Sequence, residues 1–240
     1  MPFIDLHIHT NHSDGSNSIE STLKKAKKLN IGIAITDHNT ISGAIKASKQ
    51  KEVIAIPGIE VGTIENRHVN LLFYNIKELE EFHNKEIEKN KISNKIFNWW
   101  QTKLSTETLI DVAKKYNCLI VAPHPYNRIL KNKNWNKKIK NLSKIDAVEV
   151  INSAIHPVDN RIANQFAEDI NKSKVGGSDA HCLHHIGKAG ILTIANNIEE
   201  VLNNIKKGKI QVKGVSYKIP EKLRHYKTIV KKNVLMTNLF

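Results

Sequence analysis

Cysteine is scarce in this chain: only Cys118 and Cys182 occur among its 240 residues. Two cysteines cannot make the disulfide framework of a small secreted protein, so stability must come from a hydrophobic core. Cys118 lies in an apolar run and is expected to be buried. Cys182 follows a histidine, and it is either a small packing residue or a neighbour of a metal ion.

Long apolar runs and aromatic residues are also few. No stretch approaches the roughly 20 apolar residues that a membrane-spanning helix needs. The N-terminus lacks the basic-then-apolar layout of a secretion signal, so we expect a soluble, cytoplasmic protein without a membrane partner. Aromatic residues make up 6% of the sequence, which does not indicate a long stacking surface for single-stranded nucleic acid.

Acidic residues are outnumbered: 37 Lys and Arg against 23 Asp and Glu give a formal net charge of +14. Basic surfaces attract polyanions, which favours nucleotides or nucleic acid as partners. The lysines are nevertheless spread along the chain and often accompany asparagine, as in LKNKNWNKKIKN. A Lys/Asn-rich composition explains the charge about as well, and both explanations stay open.

Short apolar runs alternate with amphipathic segments along most of the chain. The predicted strands are residues 3–7, 31–35, 53–60, 68–74, 118–122, 146–152 and 174–181, with a further short one at 189–194. The predicted helices are residues 18–29, 40–49, 77–103, 105–116, 158–171 and 198–207. A strand-then-helix unit that recurs in this way gives either an open doubly wound sheet or a closed barrel.

Metal-binding side chains cluster at the ends of these predicted strands. The candidate ligands are His7, His9, Asp14, His38, Glu60, His68, His124, Asp179 and His181. Most of them follow a strand, whereas His68 begins one. An open sheet would spread such positions along a line, but a barrel collects its strand ends into one ring. We therefore predict an α/β barrel, with some irregularity.

Taken singly, these residues have ordinary explanations. His38 is placed to cap the next helix, Glu60 suits an exposed surface, and His124 with Pro125 suits a turn. Chance alone would not place imidazoles and carboxylates after nearly every apolar run. Mixed nitrogen and oxygen ligands suit zinc, manganese or ferrous iron, and not calcium. At three or four protein ligands per ion, the set implies two or three ions.

A family resemblance rests on the segments DLHIHTNHSDG, ITDHN, PGIE, RHVNLL, APHP, EVIN and GGSDAH. This combination resembles the PHP (polymerase and histidinol phosphatase) phosphoesterases over roughly residues 3–210. The resemblance implies a single-domain, distorted (β/α)7 TIM-like barrel with a trinuclear metal centre. The expected boundaries are a barrel domain over residues 1–212 with a helical insertion at about 77–104, and a basic C-terminal extension over 213–240.

The resemblance also assigns the ligands. The first ion would be held by His7, His9, Glu60 and Asp179. Glu60 would bridge to a second ion bound by His68 and His124, and a third would be held by Asp14, His38 and His181. Two alternatives remain open, because His12 competes with Asp14, and His83 competes with His68.

By the same resemblance, a hydroxide bridging two ions would attack a phosphate ester, with Asp179 or His181 moving the proton. Arg128 and Arg161 are the candidate phosphate-binding residues, because guanidinium groups bind phosphate in a bidentate manner. The expected substrate is a nucleotide, an oligonucleotide end or a small phosphomonoester. The alternatives are a histidinol-phosphatase-like monoesterase, a metal-dependent amide or ester hydrolase, and a non-catalytic nucleic-acid-binding barrel. The sequence does not identify the oligomeric state.

Overall fold

The structure is a computed structural model that describes residues 1–92, 100–127, 135–136, 139–218, 220–223, 225 and 227–230. Its strands are β1 (Phe3–Ile8), β2 (Ile31–Ile35), β3 (Ala55–Gly62), β4 (His68–Phe73), β5 (Cys118–Ala122), β6 (Ala147–Asn152), β7 (Ser173–Gly177), β8 (Ala189–Leu192) and β9 (Gln211–Gly214). Its α-helices are α1 (Ile19–Leu29), α2 (Ser42–Ser48), α3 (Ile76–Phe82), α4 (Thr106–Ala113), α5 (Pro157–Asp169) and α6 (Ile198–Lys206). None of the helices in these ranges is long and apolar enough to cross a lipid bilayer.

The strands form one sheet, in the order β7-β6-β5-β4-β3-β2-β1-β8-β9. Strand β1 also meets the end of β7, because Ile8 forms a parallel bridge with Ala180. There the backbone N–H of His9 donates to the Ala180 carbonyl at 2.9 Å. This contact joins the two ends of the run from β1 to β7 into a nearly closed barrel. The predicted barrel fold is confirmed, and β8 and β9 extend from it as antiparallel additions.

Strand β4 runs in the direction opposite to both of its neighbours, β3 and β5. Its first residue, His68, pairs with Gly62 at the end of β3. Strand β4 therefore begins at the end of the barrel where the parallel strands finish. We call this end, formed by Ile8, Ile35, Gly62 and Ala122, the rim. His68 reaches the rim for this reason, although it precedes its strand rather than following it.

Apolar side chains fill both sides of the sheet, as expected for strands buried on two faces. One cluster takes residues such as Ile4, Ala34 and Leu72 from successive strands and joins them to Leu202 of α6, inside the barrel. The other packs the opposite strand faces against the surrounding helices. Helix α1 starts as predicted, because the side chain of its N-cap, Ser18, accepts a hydrogen bond from the Ser21 amide.

The connection from β4 to β5 differs from the predicted single helix over residues 77–103. Helix α3 continues into a π-helical turn and a 3-10 turn that ends at Asn90, and Lys91 then forms an antiparallel bridge with Thr102. The Thr102 amide donates to the Gly62 carbonyl at 2.8 Å, which fastens this returning segment to the rim. The Thr102 amide thus bonds another strand and does not make a hydrogen bond within a helix. Residues 93–99 of the predicted insertion lie outside the described residues.

Part of the C-terminal extension predicted over residues 213–240 lies against the barrel. Strand β9 pairs with β8, and Tyr217 and His225 are buried. The Tyr217 amide donates to the Ser153 carbonyl at 2.7 Å, which ties the segment to the end of β6. The extension is thus packed onto the barrel at least as far as His225. Residues 231–240 lie outside the described residues.

Candidate metal centre

Two β-bulges turn the first and sixth strands toward the centre of the barrel. In β1 the register with β2 shifts between Asp5 and Ile8. Regular alternation after Ile4 and Leu6 would point His7 outward, but the extra residue at a bulge shifts the alternation by one position. His7 and His9 then share the inner face. Strand β6 has a similar shift just after Glu149.

Glu60 lies at the centre of the candidate site. Its Oε2 atom is 3.3 Å from His7 Nε2 and 3.1 Å from His9 Nε2. Its Oε1 atom is 2.9 Å from both His68 Nδ1 and His124 Nε2. Oε2 is also 3.3 Å from His38 Nδ1. The two oxygens of one carboxylate therefore face two different sets of imidazoles, which is the arrangement that a bridging ligand requires.

A second carboxylate, Asp14, lies near three imidazoles, of which His9 and His38 also face Glu60. Its Oδ2 atom is 3.0 Å from His181 Nε2 and 3.7 Å from His38 Nε2, and its Oδ1 atom is 3.6 Å from His9 Nδ1. Asp179 Oδ1 lies 3.4 Å from His9 Nε2. His9 thus connects the Asp14 group to the group around Glu60.

The structure brings together every candidate ligand predicted from the sequence. Four groups of possible cation ligands have their donor atoms within 4.8 Å of one another: His9, Asp14, His38 and His181; His7, His9 and Asp179; His7, Glu60 and His124; His38, Glu60 and His68. We call these nine residues the ligand cluster.

The residues left as alternatives lie outside the ligand cluster. His83 Nε2 is 3.3 Å from the Asn39 carbonyl and 3.4 Å from Glu88, so it binds the neighbouring loop. His12 and Cys182 belong to none of the possible cation groups in the described part of the chain. This placement favours Asp14 and His68 as ligands.

The structure does not test both of the arginines proposed to bind phosphate. Arg128 lies outside the described residues. Arg161 is exposed on α5, where it lines a surface cleft with Asn164, Lys174 and Gln211. None of the residues that line this cleft is a candidate ligand, and a role for Arg161 in phosphate binding stays a prediction.

The electrostatics of the cluster fit divalent cations. Burial disfavours ionised carboxylates, but the surrounding histidines outweigh it and hold the pKa values of Glu60 and Asp179 well below their ordinary range. Burial likewise opposes a charge on His9, yet Asp179 and Glu60 raise its pKa to about 10. The buried carboxylates are therefore ionised and attract positive charge. Protons and metal ions compete for these carboxylates.

The hydrogen-bonding pattern of the cluster also fits divalent cations. His9 Nδ1 is buried and has no hydrogen-bond partner. The Nε2 atoms of His7 and His9 face each other at 3.1 Å, and both also face Glu60 Oε2. A cation among these atoms would satisfy lone pairs that cannot satisfy one another, so the donor set fits zinc, manganese or ferrous iron.

Glu149 was not predicted as a site residue, although its strand was. Its side chain is buried, with Oε1 accepting from His7 Nδ1 at 3.0 Å. Its Oε2 atom accepts from the His124 amide at 2.7 Å and from Asn152 Nδ2 at 2.9 Å. A carboxylate bonded to the far nitrogen of a ligating histidine fixes the tautomer and the orientation of the ring. No spacing in the sequence indicates this contact, because residues 7 and 149 lie in strands far apart along the chain.

Glu149→Gln is expected to weaken divalent-metal binding by about 10–100-fold, as for other outer partners of ligating histidines. Glutamine replaces one acceptor with a donor, so either His7 Nδ1–H or the His124 amide then faces an N–H group. Titration of metal-free protein with Mn²⁺ measures the effect. The exposed Glu168→Gln is the control, and equal affinities for the two variants would contradict the predicted role of Glu149.

The fold and the ligand cluster together define a barrel protein with a candidate metal centre. The family model described as PHP domain matches residues 5–233, and the chain belongs to this family. The match continues past residue 210, where the resemblance seen in the sequence ends, and so includes Tyr217 and His225.

Known proteins resemble the chain at different levels. An uncharacterized protein of Methanocaldococcus jannaschii is 34% identical over 164 residues, which cover 62% of this chain and 81% of the relative. The 5'-3' exoribonuclease Rnm of Salmonella typhimurium is 36% identical over 80 residues, 30% of this chain and 27% of that enzyme. The solved structure of a lesion-specific endonuclease from Pyrococcus furiosus matches with a TM-score of 0.68 and 21% identity, covering 88% of this chain and 57% of that protein. At this identity, the structural likeness shows the fold alone.

Proposed function

We propose that this protein is a phosphoesterase that uses two or three divalent ions, Mn²⁺, Zn²⁺ or Fe²⁺, to hydrolyse a phosphate ester. The observation that carries the proposal is the convergence of imidazoles and carboxylates on Glu60 at the rim of the barrel. Active sites of (β/α) barrels are built at this end of the strands. A cluster without a cation would bury ionised carboxylates at a large energetic cost, which metal ligation removes.

The ligand cluster divides into three proposed sites. Glu60 Oε2, His7, His9 and Asp179 would hold the first ion; Glu60 Oε1, His68 and His124 the second; Asp14, His38 and His181 the third. When bound, such ions lower the pKa of water to near neutrality and neutralise charge on phosphoryl oxygens. The buried position of Glu60, with 1% of its side chain exposed, keeps both of its oxygens directed at the ligating rings.

Asp179 and His181 are the proposed proton-transfer groups. Asp179 Oδ1 lies 3.5 Å from His181 Nδ1, and 12% of the Asp179 side chain is exposed. Because the pKa of Asp179 is held low, its carboxylate is ionised and accepts hydrogen bonds from water or substrate at neutral pH. Among the histidines of the ligand cluster, His124 has the most exposed side chain, at 18%. A phosphate is therefore proposed to enter from the side where His124 and Asp179 lie.

The proposed substrate is a nucleotide, an oligonucleotide end or a small phosphomonoester. The formal net charge of +14 favours an anionic substrate. The endonuclease with the related fold and the exoribonuclease with partial sequence similarity both act on nucleic acids. These likenesses support nucleic-acid or nucleotide esters over histidinol phosphate, and localisation in the cytoplasm accords with such substrates.

The proposal is tested by comparing turnover of a phosphodiester, a phosphomonoester and an acyl ester with Mn²⁺, Zn²⁺ and Fe²⁺. We expect hydrolysis of at least one phosphate ester, loss of that activity with a chelator, and recovery when the ion is restored. Protein purified without chelator should contain two or three ions per chain. Turnover of the acyl ester alone would instead identify an amide or ester hydrolase. Ion-free protein that retains high RNA affinity would identify a non-catalytic binding protein.

A further inference from the structure

Tyr217, in the C-terminal extension, contacts the backbone of the ligand cluster. Its hydroxyl donates to the Ser178 carbonyl at 2.5 Å and lies 3.4 Å from the Asp179 carbonyl. A carbonyl oxygen can only accept a hydrogen bond, so the Tyr217 hydroxyl is the donor. Tyr217 thus donates to the peptide that precedes Asp179.

The backbone at Asp179 needs such support. Asp179 has φ = 54°, in the left-handed region that non-glycine residues seldom adopt. A conformation of this kind persists only where surrounding contacts hold it. The Ser178 amide donates to Asp5 Oδ1 at 2.9 Å, and the Ser178 carbonyl accepts from Tyr217. Asp5 and Tyr217 therefore bind both backbone polar groups of Ser178, the residue before Asp179.

The orientation of two candidate ligands depends on this turn. Asp179 directs its carboxylate toward His9, and its carbonyl lies 3.0 Å from His181 Nδ1. A hydrogen bond at Nδ1 leaves Nε2 of His181 free to face Asp14 and a cation. A shift of the turn would move the Asp179 carboxylate and the His181 ring together.

Two buried histidine rings pack close to Tyr217, one from before β8 and one from the extension. The ring of His185 stacks on that of Tyr217, with centroids 4.0 Å apart. His225 lies edge-on to His181 at 4.7 Å and is itself buried, so the extension forms one wall of the ligand cluster. Sequence motifs did not indicate this wall, because it follows the last recognisable motif by more than thirty residues.

We propose that Tyr217 is a positioning residue of the metal centre, whose hydroxyl holds the Ser178–Asp179 peptide so that Asp179 and His181 face the ions. This inference rests on the proposed function. It gives the C-terminal extension a defined task in metal binding.

The test is Tyr217→Phe, which removes the hydroxyl and keeps the ring. We expect Mn²⁺ binding to at least one site to weaken by about 10–100-fold, the range found for outer partners of metal ligands. Calorimetric titration of metal-free protein and the Mn²⁺ electron paramagnetic resonance signal measure affinity and site number. A purely structural role would lower thermal stability without changing either quantity in the folded protein. Activity of the variant should recover at high Mn²⁺ concentration.

Tyr74→Phe is the matched control, because the Tyr74 hydroxyl bonds Asn203 at 2.9 Å, away from the cluster. Tyr217→Met is measured alongside, so that the result does not depend on the folding of one variant. Folded Tyr217 variants with wild-type affinity and site number would overturn this inference alone. A wild-type protein that binds no divalent ion would overturn the proposed function as well.

Discussion

Replacing Glu60 with glutamine is expected to reduce metal binding and phosphate-ester turnover by at least about 100-fold. Loss of an outer partner of a ligand already costs about 10–100-fold, and Glu60 is itself the proposed ligand shared by two ions. The amide would keep one oxygen and present an NH₂ group to the other set of imidazoles. That set is either His7, His9 and His38, or His68 and His124. An NH₂ group cannot bind a cation.

The metal content of the Glu60→Gln protein after loading with Mn²⁺, together with its kcat/KM, measures the effect. Glu52→Gln makes the same chemical change at an exposed carboxylate that pairs with Lys27, and it should leave both quantities unchanged. Full metal content with normal turnover in Glu60→Gln would contradict the proposed role of Glu60 as a ligand shared by two ions.

Gly177→Ala is expected to destabilise the protein and disrupt the site together, although it adds a single methyl group. A Cβ atom at residue 177 would lie 2.4 Å from His7 Cβ, 2.6 Å from Glu149 Oε1 and 3.0 Å from the His7 amide nitrogen. Two of these neighbours belong to the backbone and the base of a side chain, which cannot move aside freely. Overpacking of this kind costs about 3 kcal/mol at the upper end of its usual range.

For a chain of this length, that cost corresponds to a fall in melting temperature of roughly 6–12 °C. Because β1 and β7 would be pushed apart at His7, Mn²⁺ affinity should fall in the same variant. Gly32→Ala is the comparison: its Cβ would approach Ile4 and Ile54 only to 3.2 Å, far from the ligands. If Gly177→Ala melts at the wild-type temperature and binds Mn²⁺ normally, β1 and β7 do not pack as closely as described.

The ligands were predictable because each stands beside a strand that has a clear local signal. The strands at residues 31–35 and 118–122 were predicted with the observed boundaries, and the ring of strand ends follows from barrel closure. His68 was less certain, since it begins its strand. Its position makes sense once β4 is seen to be antiparallel, and neither propensity nor periodicity encodes that direction.

The supporting residues were not predictable, because their roles arise only when distant strands meet. Gly177 must lack a side chain because His7 passes next to it, and Glu149 acts through the ring of His7. Nothing in the local sequence around Tyr217 distinguishes it from an ordinary tail residue. Residues 100–103 were predicted to be helical because the charged pattern allows a helix, whereas the backbone of Thr102 pairs with Gly62.

The reversed direction of β4 has a consequence for the long excursion between β4 and β5. Both Phe73, where the excursion leaves, and Cys118, where it returns, lie at the end of the barrel opposite the rim. Among its described residues, Thr102 returns to the rim and binds Gly62. Length changes in surface connections are tolerated when they do not disturb the strands that the connections join. Insertions or deletions between the described contacts of this excursion should therefore leave the ligand-bearing strands in place.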